Sequence, residues 1–206
     1  MDYRPLNAIT VKDSFPLPQI EDNLVRLGRS RIFSGIDGCG AYHVVEVALK
    51  DRPKTAFSTP LGSFQFKRMP FGLTNAPATY CRLVQMVLDG IPYDMAIPYL
   101  DDTCVHSPDL PGHFLALDRV LGAHKRAGLK LQPSKCSLFQ DQIEYLGHVV
   151  SADGVAPPAQ YVQVIQEWPL PTTKTQARAF LGKDGYYRRF INGYGWKLLT
   201  TRGAQQ

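Results

Sequence analysis

The sequence predicts an α+β fold running into a mainly helical extension. Three observations predict it. Short β-prone runs are separated by turn-forming residues, two longer segments carry apolar side chains at helical spacing, and beyond Ala152-Asp153-Gly154 helical spacing takes over. The 16 prolines and 17 glycines fall between these segments, and no internal repeat or low-complexity tract interrupts the 206 residues.

Pro18 opens a short helix whose Ile20, Leu24 and Leu27 share a face at i, i+4 and i+7 before Gly28 stops it. Residues 31–36 read as a strand, which sets Asp37 at a strand end, and residues 42–47 read as another. Residues 55–58 and 64–67 flank Pro60-Leu61-Gly62 as a hairpin. Asn75, read as a cap, and Pro77 start a long helix that buries Tyr80, Leu83, Val84, Val87 and Leu88 and ends at Gly90. Residues 95–100 and 103–106 are two β-prone runs joined across Asp101-Asp102, a pair suited to a tight turn. From Pro111 a second long helix carries Phe114, Leu117, Leu121 and His124 on one stripe as far as Gly128. Strands are expected at 129–131 and 144–150, and helices around 162–168 and 173–181.

A chain that is 44% hydrophobic and 11% aromatic can bury a core, as one ordinary domain or two small ones. The 23 Lys and Arg against 18 Asp and Glu give a net charge of +5, which suits a polyanionic partner. Cys39, Cys81, Cys104 and Cys136 show no C-x-x-C spacing, and no cationic apolar leader precedes Asp2-Tyr3-Arg4. Reduced thiols are expected rather than a secreted disulfide scaffold. No apolar run reaches the roughly 18 residues of a membrane-spanning helix, so a soluble chain is expected. Zinc-ligand spacing and the G-x-x-x-x-G-K-[ST] loop are both missing, which leaves carboxylates as the chemistry-bearing groups.

An isolated Asp-Asp pair is ordinarily a solvated turn. The other reading is a cation site. Joining a nucleotide to a strand requires deprotonating a hydroxyl, neutralising the α-phosphate and stabilising pyrophosphate, and two hard cations about 4 Å apart can do all three. Such cations prefer acidic side chains gathered from different strands. Asp37 with Asp101 and Asp102 supply them if their strands are neighbours.

Tyr99-Leu100-Asp101-Asp102 resembles the Y-x-D-D hairpin of reverse transcriptases. Phe33-Ser34-Gly35-Ile36-Asp37 followed by Ala41-Tyr42-His43 resembles that family's first catalytic strand. Met69-Pro70-Phe71-Gly72-Leu73-Thr74-Asn75-Ala76-Pro77 matches its M-P-F-G-L-x-N-A-P motif. Asp2-Tyr3-Arg4-x-Leu6-Asn7, Tyr145-Leu146-Gly147-His148, Phe180-Leu181-Gly182 and Tyr186-Tyr187-Arg188-Arg189-Phe190-Ile191 follow in the family's order. The chain is most similar to the reverse transcriptase domain of gypsy-type LTR retrotransposon polyproteins.

The resemblance implies a palm, an antiparallel sheet with helices packed on one face, over 13–44 and 76–152. It also implies partial fingers over 1–12 and 45–75 and the start of a thumb over 153–206. Asp37 and Asp101 would bridge two Mg²⁺ ions, or Mn²⁺, with Asp102 completing the cluster and the Gly38 carbonyl as a further ligand. Tyr42, five residues beyond Asp37, falls where the family sets an aromatic ring beneath the incoming sugar and rejects a 2′ hydroxyl. Phe71 and Gly72 would lie beside the ribose and base, and Tyr99, Leu146, Gly147 and His148 at the primer. Lys125, Arg126, Lys130, Lys135, Arg188 and Arg189 would follow phosphates. Implied partners are an RNA or DNA template with a DNA primer, dNTPs, and other parts of a polyprotein or larger assembly. The setting would be a cytoplasmic particle with later nuclear steps, neither secreted nor on a membrane.

Two departures set further expectations. The family's fingers begin well before the Asp-Tyr-Arg motif, in basic strands that grip the triphosphate, so weaker nucleotide binding is expected here unless Arg4, Lys12 or Lys67 reach it. Gly38-Cys39-Gly40-Ala41 stands where a Ser-Gly pair is common, and resemblance fades after Ile191, in Asn192-Gly193-Tyr194-Gly195-Trp196-Lys197. Two readings stay open: a template-directed polymerase, and a remnant that binds nucleic acid or serves as a structural subunit. An RNA-binding module of similar shape ranks last, because no basic-aromatic strand of that type occurs.

Overall fold

Local sequence makes the first elements. In the computed structural model, which describes residues 1–16 and 18–194, helices α1 (Arg4–Ile9) and α2 (Ile20–Leu27) precede strand β1 (Ile32–Asp37). A small hairpin follows, β2 (Phe57–Thr59) and β3 (Gly62–Phe64), then helix α3 (Ala76–Val87), strands β4 (Ala96–Tyr99) and β5 (Asp102–Ser107), and helix α4 (Leu110–Arg126). Strands β6 (Ser137–Gln140), β7 (Gln142–Tyr145), β8 (His148–Ser151) and β9 (Gly154–Ala156) lead to helices α5 (Ala159–Gln166) and α6 (Lys174–Gly185). The chain forms two compact units, Met1–Ile143 with Ser151–Asp153, and Glu144–Val150 with the described residues from Gly154.

The first unit is built on a four-stranded sheet in the order β4-β5-β1-β6. β1 pairs antiparallel with β5 from Ile32↔Ser107 to Asp37↔Asp102, and β4 covers the far side of β5, where Pro98 is tolerated because β4 is an edge. Period-two alternation puts Ser34, Ile36, Ala96 and Val105 on one face and Phe33, Asp37, Ile97 and Asp102 on the other. Ile36, Ala96 and Val105 form one buried cluster with Tyr80, Val84 and Leu88 of the α3 segment and Ala116, Leu117, Val120 and Ala123 of α4. Both long helices therefore cover one face, the α+β arrangement expected, and Asp37 and Asp102 belong to the other. Gly35 lets β6 and Ile143 pack close: a Cβ would meet Ile143 Cδ1 at 3.0 Å and Ser137 Oγ at 3.1 Å, so those side chains would have to shift.

Several expectations are corrected. Residues 42–47 do not form a strand. Gly40 (φ 80°) and Ala41 (φ 33°) turn the backbone left-handed into the 3-10 turn Ala41–Val44, and pairing survives only where Val47 N–H and Met69 N–H bond Lys67 and Val45 carbonyls. The tight turn between β4 and β5 is Leu100-Asp101, with Leu100 at φ 54°, while Asp102 is already on the strand. Residues 129–131 make a single bridge, Gly38↔Leu131, rather than a strand. Residues 144–150 divide between β7 and β8, and β6 was not anticipated.

On α4 the buried stripe runs through His113, Leu117, Val120 and His124, while Phe114 (57% exposed) and Leu121 (38%) face outward. The inward histidine is stabilised by a directed chain of bonds. Ser107 Oγ donates to the Asp109 carbonyl at 2.8 Å, so it accepts His113 Nδ1–H at 3.0 Å. His113 Nε2 then takes the Ser34 hydroxyl at 2.7 Å, and Ser34 Oγ accepts Phe139 N–H at 3.0 Å. Burial, and then the proximity of His106, holds His113 below its usual pKa, and burial lowers His106 as well. The unfolded chain thus binds more protons than the folded one once pH falls below about 6.5, and stability is lost in that direction. The urea midpoint is expected to drop between about pH 7.5 and about pH 5.5; a level midpoint would count against a neutral His113 network.

Candidate active site

Strand pairing brings together what lies 65 residues apart in sequence. Asp37, the last residue of β1, is directly opposite Asp102, the first of β5, and Asp102 is also opposite Tyr99. Asp101 sits at the exposed tip of the turn, tied in by its own carbonyl, which accepts Gly38 N–H at 3.0 Å. Packing at the strand end, and then the like charges of Asp101 and Asp37, raises the Asp102 carboxyl above its ordinary pKa, with the Lys135 ammonium pulling the other way. Lys135 was read as a phosphate contact; its Nζ lies 3.9 Å from Asp37 Oδ2. That side chain is 60% exposed, so the pair contributes little stability.

The backbone beside Asp37 is held from both sides. Its N–H points at Cys136 Sγ at 3.4 Å and its carbonyl accepts Gln132 N–H at 3.0 Å. Gly38 admits a close neighbour, since a Cβ there would meet Tyr80 Oη at 3.0 Å. Tyr80, read from periodicity as a core residue, therefore reaches the site with its hydroxyl. Burial, then Asp101 and Asp37, pushes its pKa up to about 12.

Tyr42 is half-buried, its ring centroid 5.1 Å from Phe71 and 5.8 Å from Tyr80, and burial followed by the Asp101 charge raises its phenol pKa. Phe71 is 58% exposed. Gly72 turns at φ 90°, a left-handed conformation that side chains rarely adopt. That turn is held by Asn7, whose Nδ2 donates to the Gly72 carbonyl at 2.8 Å and whose Oδ1 accepts Thr74 N–H at 2.9 Å. Asn75 stands at the N-cap position of α3, yet its side chain does not cap the helix. It donates to the Val11 carbonyl at 2.9 Å and accepts Asp13 N–H at 3.0 Å. The roles of Asn7 and Tyr80 were missed because neither hydrophobic period nor charge marks them; the only sequence signal for Asn7 was its place in the Asp2-Tyr3-Arg4-x-Leu6-Asn7 stretch.

In the second unit, Leu146 and Gly147 form the β7–β8 turn, with φ of 50° and 70°. His148 was expected at the primer beside them. It is 3% exposed, with Nδ1 2.9 Å from the Leu146 carbonyl, so its ring supports the turn from within.

Among the described residues, no group of three or more His, Cys, Asp or Glu side chains is arranged to hold a metal ion as it stands. The donor chemistry at the strand end nonetheless suits a hard cation: carboxylate oxygens from two strands, one with raised proton affinity.

Residues 1–150 match the family described as reverse transcriptase (RNA-dependent DNA polymerase). The chain belongs to the reverse transcriptase family. Among its relatives, the Pol polyprotein from transposon 297 of Drosophila melanogaster is 40% identical over 194 residues, 94% of this chain and 18% of that protein. The Pol polyprotein from transposon gypsy of the same organism is 36% identical over 94% of this chain and 19% of its own length. The Tf2-3 polyprotein of Schizosaccharomyces pombe is 32% identical over 93% and 14%. The chain thus spans a fifth or less of the length of these three relatives. A foamy viral protease-reverse transcriptase in complex with double-stranded DNA superimposes with a TM-score of 0.88 at 22% identity, covering 97% of this chain and 36% of that one. A second, with an RNA/DNA hybrid, gives 0.81 at 23%, covering 91% and 25%. These superpositions establish a reverse-transcriptase fold, as the motifs had indicated. No helix among the described residues is long and apolar enough to cross a membrane.

Proposed function

We propose that this chain performs template-directed DNA synthesis from dNTPs by two-metal-ion nucleotidyl transfer at Asp37, Asp101 and Asp102. One observation supports the reading above others: antiparallel pairing places Asp37 opposite Asp102, with Asp101 anchored to the next residue, Gly38. Two Mg²⁺ or Mn²⁺ ions held there would polarise the primer 3′ hydroxyl and neutralise the phosphates. The residues' own contribution is to gather negative charge at one strand end. Asp37 and Asp101 would hold the ions, Asp102 would complete the set, and the Gly38 carbonyl would be a further ligand.

Tyr42, on its turn against Phe71 and Tyr80, would lie beneath the sugar and exclude a 2′ hydroxyl, with Phe71 and Gly72 beside the ribose and base. Tyr99 and the Leu146-Gly147-His148 hairpin would meet the primer. The partners are an RNA or DNA template with a DNA primer, in keeping with the nucleic acids bound by the structural relatives, and the remaining parts of a polyprotein. A cytoplasmic particle with later nuclear steps is the setting proposed.

The test is primer extension on an RNA template, comparing the chain with an Asp101→Asn, Asp102→Asn double variant. Extension by the parent alone is expected. Equal signals, or none from either, would favour a remnant that binds nucleic acid or serves as a structural subunit.

A further inference from the structure

We propose that Tyr186 and Tyr187 form a hydroxyl clasp that fixes the Leu146-Gly147 turn, and are thereby positioning residues for the primer end. The positioning role rests on the reading that this turn meets the primer; the clasp itself does not.

Two consecutive left-handed residues make this a tight hairpin turn of the kind that favours Asn-Gly, because a side chain at the first position is strained. Leucine occupies that position at φ 50°. A strained two-residue turn needs support from elsewhere in the fold to persist. The carbonyls of both turn residues receive it from adjacent tyrosines 40 residues downstream. Tyr186 Oη donates to the Leu146 carbonyl at 2.9 Å, and Tyr187 Oη to the Gly147 carbonyl at 2.6 Å.

Glycine at 147 suits the turn's φ of 70°, and a Cβ there would be in ordinary contact with Tyr187 Oη at 3.4 Å. The tyrosines are themselves held. Tyr187 is buried, with its ring centroid 3.9 Å from Tyr161 and 5.2 Å from His148, and the His148 ring is 5.2 Å from Tyr186 and 5.8 Å from Phe190. Burial, then Tyr186 and Glu144, keeps the Tyr187 phenol protonated well past neutrality, so it remains a donor. Because the two hydroxyls come from consecutive residues just beyond α6, they hold two consecutive carbonyls in one register. Apolar rings alone would pack the turn without fixing the direction of its peptide planes.

The test uses Tyr186→Phe, Tyr187→Phe and their double variant in the full chain, each of which keeps the ring and removes the hydroxyl. Tyr161→Phe is the control, since Tyr161 Oη donates to the Lys183 carbonyl at 2.6 Å and not to the turn. Hydrogen exchange of the turn amides is expected to accelerate roughly tenfold in the double variant and not in the control. Single-nucleotide extension should slow roughly tenfold at saturating dNTP, with the KM for dNTP unchanged.

Unchanged exchange in all three variants, or equal acceleration in Tyr161→Phe, would overturn the clasp. Faster exchange with unaltered extension would overturn the positioning role. If the parent extends no primer, the functional reading above fails together with the positioning role, while the exchange measurement still decides the clasp. Should the double variant melt, the two single variants carry the same comparison.

Discussion

Asp101→Asn is expected to lower template-directed nucleotide addition by about three orders of magnitude or more, the scale on which losing one member of a concerted set falls. The thermal midpoint measured without divalent cation should meanwhile hold or rise. The structural bond that Asp101 makes is through its backbone carbonyl to Gly38 N–H, and asparagine keeps it. What the substitution removes is a charge at an exposed turn tip, one of those that raise the Asp102 carboxyl. Relieving that repulsion is expected to leave the fold intact, whereas on the proposed reading the substitution would remove a cation ligand from a site built on accumulated negative charge. Single-nucleotide incorporation and thermal melting of the same preparation decide the matter. Retained activity, or activity and stability lost together, would remove Asp101 from the site.

Tyr42→Ala should relax sugar selection. The ratio of kcat/KM for a dNTP to that for the matching ribonucleotide is expected to fall roughly ten- to hundredfold, mostly through faster ribonucleotide use. The ring is fixed between Phe71 and Tyr80 on a turn that begins with left-handed Gly40, so it has little freedom to move aside for a 2′ hydroxyl. On the proposed reading, removing it would open the space a 2′ hydroxyl needs. Tyr42→Phe keeps the ring and should keep the discrimination. An unchanged ratio in Tyr42→Ala would mean that the side chain only packs the turn.

How much of this was legible in sequence depends on how local each feature is. The position of Asp37 could be read, because the strand before it is a continuous local signal. That Asp37 faces Asp102 could not be, since register is settled by packing across the sheet. The Asp101-Asp102 hairpin was right in kind and off by one residue, because Leu100, a residue that turns disfavour, takes the left-handed position. On α4 the period was right and Leu117 and His124 are buried as read, but the other two members of the stripe are not. Phe114 and Leu121 look like core residues, but Ser34 and Ser107 give His113 bonding partners inside, so a histidine is buried and a phenylalanine exposed. A polar residue such as His148 beside a turn reads as exposed, and only the fold shows that its ring is buried among aromatic side chains. The stretch around Gly195-Trp196-Lys197 lies outside the described residues.

Asn7 and Asn75 each use one amide to imitate a strand partner, giving a donor and an acceptor to a backbone some 60 residues away in sequence. The two are arranged reciprocally: the early segment holds the Gly72 turn, and the residue following Thr74 holds the early segment. Trimming the chain to begin after Asp13 would therefore cut both ties together. Such a shortened protein would keep Asp37, Asp101 and Asp102 while losing the frame around Phe71 and Gly72, and on the proposed reading its defect is expected in nucleotide affinity.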